Sequence, residues 1–445
     1  MKKIDIVSAL LWVFCLSLTA QEEKTEIIKT GWNFGALPTI TYNSDLGFQY
    51  GVLTNFYNYG DGSTYPGYKH SIYAEVSRYT KGSGIYRLFY DSKYVVPGIR
   101  VTVDLSYLTE QALNFYGFNG YDAIYHKEYE DQDKAAYISR MYYKHARNTF
   151  RFKLDLQGKI GDSELGWVGG YSLLNTDISS VNINKLNEGL DAEDLLPDTA
   201  SLYDKYIDWG IIGQDEADGS LQHNIKTGLV YDTRDNEPCP MKGLWTEVVL
   251  FNSFGPEFSF GKLGIIHRQY FTLIPEDLSL AYRLSYQGQI WGDMPFYMAP
   301  YMVYSYIRSS NSDGLGGSKT IRGMVRNRLV AKSMAFANVE LRWKFTYFQF
   351  LKQNCYVALN PFMDFGRTIS PYELDFSGVV DENQAIDQSA LDSHFDEGAE
   401  KLHATYGMGL HFAMNHNFVV AADIGLPMNE QDGDLGVYIG MNWLF

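Results

Sequence analysis

One alternation constrains the fold of this chain more than any other feature. From Ala335 to Phe345, residues Ala335, Ala337, Val339, Leu341, Trp343 and Phe345 fall on one face of an extended segment, and Phe336, Asn338, Glu340, Arg342 and Lys344 on the other. That period of two belongs to a β-strand. One apolar face and one charged face suit a barrel wall between lipid and a wet lumen. Ahead of it, Gly314-Leu-Gly-Gly-Ser-Lys-Thr-Ile-Arg-Gly-Met324 is a glycine-rich loop carrying Arg322, with Gly323 beside it to permit a tight turn. Downstream, Asn360-Pro-Phe-Met-Asp-Phe-Gly366 sets Asp364 in register with Phe362 and Asn360, away from Leu359, Met363 and Phe365. A cation entering a barrel seeks a carboxylate on the inner wall. Arg322 could therefore fork onto Asp364, with Glu340 as a second partner. The residues alone leave open whether Arg322 is instead a solvated loop cation.

The rest of the chain repeats the pattern. Its 445 residues include 35 Tyr and 41 Gly against only 13 Pro, a mixture that favours strands and turns. A net charge of −16 without a basic stripe argues against nucleic acid as a partner. Lys2, Lys3, the apolar run Ile6 to Leu18 and Ala20 predict a signal peptide over residues 1–20, followed by a short periplasmic segment, 21–34. No later run reaches the roughly eighteen apolar residues of a membrane helix. A membrane protein that spans without helices must be a closed barrel.

The expected fold is all-β, a 16-stranded antiparallel transmembrane β-barrel over residues 35–445, with long loops near 109–135, 176–220, 291–335 and 367–403. Ser44-Asp45 is the expected first turn. The stretch 136–160 reads either as two strands around Ala146-Arg147-Asn148 or as one long, bulged strand, and the phase shared by Ile138, Tyr142, Phe150, Phe152, Leu154, Leu156 and Ile160 favours the single strand. The last strand, Gly436–Phe445, would turn Val437, Ile439, Met441, Trp443 and Phe445 to one face.

These motifs carry a resemblance. Ile321-Arg322-Gly323-Met324 resembles the Arg-Gly motif in the sixth extracellular loop of the outer membrane protein 85 superfamily. Glu340-Leu-Arg342 and Phe362-x-Asp364-x-Gly366 resemble its next two strand motifs. Tyr231-Asp232-Thr-Arg234-Asp235, with Pro240 and Gly243 behind it, is similar to the turn between its strands eight and nine. Leu37-Pro38, Tyr42, Gly47 and Gly51 resemble its barrel start.

The resemblance implies an insertion or translocation barrel of the bacterial outer membrane, set in lipid and lipopolysaccharide. The Arg322 loop would lie in the lumen, paired with Asp364. It also implies a weak seam between the first and last strands, loosened by Gly436 and Gly440, and a terminal aromatic read as a sorting signal. The superfamily's best-known members carry periplasmic POTRA domains, for which 21–34 leaves no room, so this chain would need a periplasmic or lipoprotein partner subunit, or would itself be an accessory subunit of a larger assembly. Two further readings stay open: a passive or gated pore for small solutes, and a surface scaffold that binds partners through its loops.

Catalysis finds no support. His223, His267, His411 and His416 lie in no recognisable motif, so no catalytic residue and no cofactor is expected. Glu128, Glu130, Asp131 and Asp133 lack the glycine and spacing of a calcium loop, and Asp432-Gly433-Asp434 reads as a turn. Asp232 and Asp235 read as a polar turn closed by Arg234, so no metal is expected. Gly407-Met-Gly409 opens no helix and is no nucleotide loop. Cys239 and Cys355 are too separated for a disulfide to be expected.

Overall fold

The structure is a computed structural model that describes residues 28–43, 47–65, 67–237, 239–305, 314–350, 353–414, 418–441 and 443–445. The expected signal peptide, the Ser44-Asp45 turn and His416 lie outside the described residues. Sixteen strands follow one another in a single sheet: β1 (Trp32–Asn43), β2 (Gly47–Asn58), β3 (His70–Tyr79), β4 (Gly84–Val96), β5 (Ile99–Asn114), β6 (Lys144–Lys159), β7 (Leu165–Ser179) and β8 (Leu221–Asp232). The second half comprises β9 (Gly243–Phe254), β10 (Ser259–Ile274), β11 (Leu278–Gly292), β12 (Ser333–Phe350), β13 (Gln353–Ser370), β14 (His403–Met414), β15 (Phe418–Pro427) and β16 (Gly436–Met441). Each strand pairs antiparallel with its sequence neighbours. Among the described residues no ladder joins β1 to β16.

The two faces of the sheet have inverted polarity. Along β12, Asn338, Glu340 and Arg342 are fully buried, whereas Val339, Trp343 and Phe345 are exposed. The same holds on β13, where Asn360 and Asp364 are buried and Met363 is exposed. A water-soluble protein does the reverse. Apolar side chains outside and charges inside are what a lipid-embedded barrel requires. Among the described residues no helix is long and apolar enough to cross a membrane.

Turns at one end are short, such as Lys159–Leu165 and Ile274–Leu278. At the other end, segments 115–143, 180–220, 293–332 and 371–402 hold the helices α1 (Ile183–Asn187), α2 (Leu202–Asp208), α3 (Gln214–Ala217) and α4 (Gln388–His394). Short periplasmic turns and long external loops follow the outer-membrane pattern. Ser201 and Asp204 form a capping box on α2. The long loops share an aromatic core. Phe115 meets Phe118, Tyr203, Tyr206 and Phe296 edge-on, at centroid distances from 5.2 to 6.2 Å.

Two strand expectations need correction. Residues 136–160 are not one strand, since β6 begins at Lys144. Ile138 and Tyr142 pack in the external cap, where adjacent Tyr142 and Tyr143 are both buried and no alternation holds. The last strand ends at Met441. Trp443 and Phe445 do not face outward with Val437 and Ile439; both are buried. Inside, they meet cations. Arg342 lies 4.7 Å from the Trp443 ring and 4.8 Å from the Phe445 ring, and Arg283 lies 5.1 Å from Phe445.

Candidate functional site: a loop pinned to the inner wall

Arg322 is carried by segment 293–332 between β11 and β12, which returns into the interior. Its Nε donates to Asp364 Oδ2 at 2.9 Å and Nη2 donates to Oδ1 at 3.0 Å, a two-pronged pair. The Arg322 backbone N–H also donates to Asp364 Oδ2 at 3.0 Å. Nη1 lies 2.8 Å from Glu340 Oε1 and 3.6 Å from Asp423 Oδ2. The guanidinium stacks 3.5 Å from the Phe362 ring centroid. Arg322, Glu340 and Asp364 are all fully buried, so removing one partner would strand a charge away from water.

Glycines make this approach possible. Gly323 has φ +92°, a left-handed backbone, and a Cβ there would sit 2.7 Å from the Gly425 carbonyl carbon and the Leu426 nitrogen. Its N–H donates to the Tyr438 hydroxyl at 2.9 Å, which ties the loop to β16. Gly407 leaves room for the Phe362 ring on which Arg322 stacks; a Cβ would meet that ring at 2.4 Å.

The opposite limb of the loop is held differently. Lys262 Nζ donates to the backbone carbonyls of Met298, Ala299 and Tyr301 at 3.2, 3.0 and 2.7 Å. Lys226 Nζ donates to the carbonyls of Tyr304 and Ser305, and pairs with Asp155 at 2.9 Å. The Gln287 amide both donates to and accepts from the Val303 backbone.

Arg234 forks onto Asp232 at 2.9 and 3.0 Å and covers the Trp245 ring, while Asp235 Oδ1 accepts the Met241 and Lys242 N–H groups. Gly243 has φ +98° against the Thr233 backbone, and Pro240 is buried. Gly436 leaves space for the Tyr438 ring, whereas a Cβ on Gly440 would meet nothing within 4 Å. Asp432 accepts from Tyr121 at 2.7 Å and faces His403 at 2.6 Å. Among the described residues no group of His, Cys, Asp and Glu could hold a metal. Cys239 and Cys355 are free and buried.

Sequence reasoning missed Asp423, Tyr438, Lys226 and Lys262. Asp423 could have been found: it is the one carboxylate in the apolar strand Phe418–Pro427, in phase with Ala421 and Gly425. Tyr438 carried no such signal.

The inverted faces and the inward loop define an outer-membrane barrel. The Omp85 superfamily domain matches residues 67–443, and the chain belongs to that superfamily. It resides in the bacterial outer membrane. Among solved structures it is similar to CdiB from Escherichia coli, with 12% identity and TM-score 0.53, covering 94% of this chain and 63% of that one. It is also similar to BamA from Haemophilus ducreyi lacking POTRA domains 1–3, with 14% identity and TM-score 0.49, covering 93% of this chain and 70% of that one. No curated protein matches it.

Proposed function

We propose that this protein inserts or translocates proteins at the outer membrane, alone or as a subunit of a larger assembly, through a seam between β1 and β16. The observation that carries this reading is the pair of unpaired edges. Among the described residues β1 spans twelve residues and β16 only six, and no ladder joins them. Bare backbone edges are costly in lipid, so such a pair of edges is suited to accept an incoming strand. The apolar outer band would be solvated by lipid and lipopolysaccharide.

The Arg322 loop acts here as a lock. It ties β12, β13, β15 and β16 together from inside and performs no chemistry. The described loop residues pack against the inner wall at β12 to β15, which disfavours a wide pore for solutes. Gentle extraction of the tagged protein from its own outer membrane, followed by native mass analysis, tests the assembly reading. A stoichiometric periplasmic or lipoprotein partner supports it. A clean monomer that conducts ions in planar bilayers would replace it with a pore.

A further inference from the structure

Glu340 is shared by two guanidinium groups that do different work. Its Oε1 faces Arg322 Nη1 at 2.8 Å, on the loop lock. Its Oε2 accepts from Arg342 Nε at 2.9 Å and lies 2.8 Å from Arg342 Nη2. Arg342 Nη2 also donates to the Phe445 backbone carbonyl at 2.8 Å, and its guanidinium lies against the rings of Trp443 and Phe445. Residues 443–445 have left the sheet and rest on this residue. Trp443 also lies tilted against His411 with ring centroids 4.1 Å apart, and His411 Nε2 reaches Asp423 at 3.1 Å, the third carboxylate of the lock.

We propose that Glu340 couples the loop to the tail that follows β16, so that release of either weakens the grip on the other. A carboxylate that loses one of two buried cationic partners turns its full charge to the remaining one, and each arginine has that carboxylate as a partner. The coupling is reciprocal, as linkage requires. If the loop is displaced, Arg342 is redrawn toward Glu340 and away from the Phe445 carbonyl, freeing residues that could lengthen β16. This geometry holds whether or not the barrel inserts proteins, and the test reads the coupling without any client.

A natural reporter lies beside the tail. Cys239 packs in one buried cluster with Tyr356 and Trp443. In folded protein carrying Cys15→Ser and Cys355→Ser, the rate of maleimide modification of Cys239 reports departure of the tail. Asp364→Asn, which loosens the lock, is expected to raise that rate at least about five-fold while Glu340 is present. In a Glu340→Gln background the same substitution should change it by less than about two-fold. Retained heat-modifiable gel mobility shows that each variant is folded. Should Glu340→Gln fail to fold, Arg342→Met severs the same link, because a thioether donates to neither Glu340 nor the carbonyl. Equal effects of Asp364→Asn in both backgrounds, or none in either, would overturn the coupling.

Discussion

The two walls that meet at the seam are unequal. On β12 to β15 the inward side chains Asn338, Glu340, Arg342, Asn360, Asp364 and Thr405 are fully buried, packed against a loop that returns into the barrel. On β2 and β3, Leu53, Asn55, Tyr57, Tyr73 and Glu75 are only half-buried beside the buried but uncharged Gln49, Ser71 and Ser77, and Gly35 on β1 is exposed. One wall is braced from inside by buried charge pairs. The other depends on its ladders and on contacts such as Tyr73 to Glu75. A seam with one braced and one unbraced side can yield on one side while the interior stays packed. Stability therefore should not be uniform around the barrel.

The largest effect that could break this comparison lies in the lock. Asp364→Ala strands Arg322 and should destabilise the barrel by about 3–5 kcal/mol, read as earlier heat-induced loss of folded gel mobility. Tyr73→Phe on the open wall should shift the same midpoint by less than about 1 kcal/mol. Equal shifts would erase the distinction between the walls. Next, Gly323→Ala forces a left-handed backbone and a Cβ onto the Gly425 backbone, with an expected loss on the order of 3 kcal/mol. Gly440→Ala, with open space around it, should stay within about 0.5 kcal/mol.

A third effect, smaller than those in the lock, concerns the cap over the braced side. His394 at the end of α4 faces the Tyr142 hydroxyl at 2.6 Å, and burial pushes its pKa down to about 4, with Lys205 and His126 acting in the same direction and Asp387 opposing. Between that value and about 6.5 the unfolded chain holds more protons than the folded one, so stability rises with pH across the window. Acidification from pH 7 to pH 4.5 should loosen segment 371–402 by on the order of 2 kcal/mol, seen as faster proteolysis there. His394→Gln should remove that component of the pH dependence.

Much of the barrel was legible because one physical rule governs it. Lipid outside and charge inside impose a period of two, which β12 displays over Ala335–Lys344 and β13 over Val357–Gly366. The Arg322–Asp364 pairing was within reach because both residues stand out locally, one between flexible backbone and one on an inward phase. Tyr438 and the Lys226 and Lys262 grips were not, because they bind backbone groups far away in sequence and nothing local marks them. The expectation for 136–160 failed because the cap has its own aromatic core, whose residues happened to continue the phase of β6. The tail failed for a related reason. Trp443 and Phe445 continue the apolar phase of Val437 and Ile439, and only the cations of β11 and β12 show that they turn inward.

The most direct test of the seam is a staple across it. One cysteine replaces Gly440 on β16 and the other is scanned over Asn33, Gly35 and Thr39 on β1, with Cys15, Cys239 and Cys355 changed to serine. A control pair replaces Asn55 and Tyr73, which face each other across β2 and β3. Insertion of an unfolded barrel protein into proteoliposomes containing the stapled protein is then measured before and after reduction. The account predicts that the seam disulfide blocks insertion and that reductant restores it, while the control staple has no effect. Insertion that proceeds unchanged with the seam closed would contradict it.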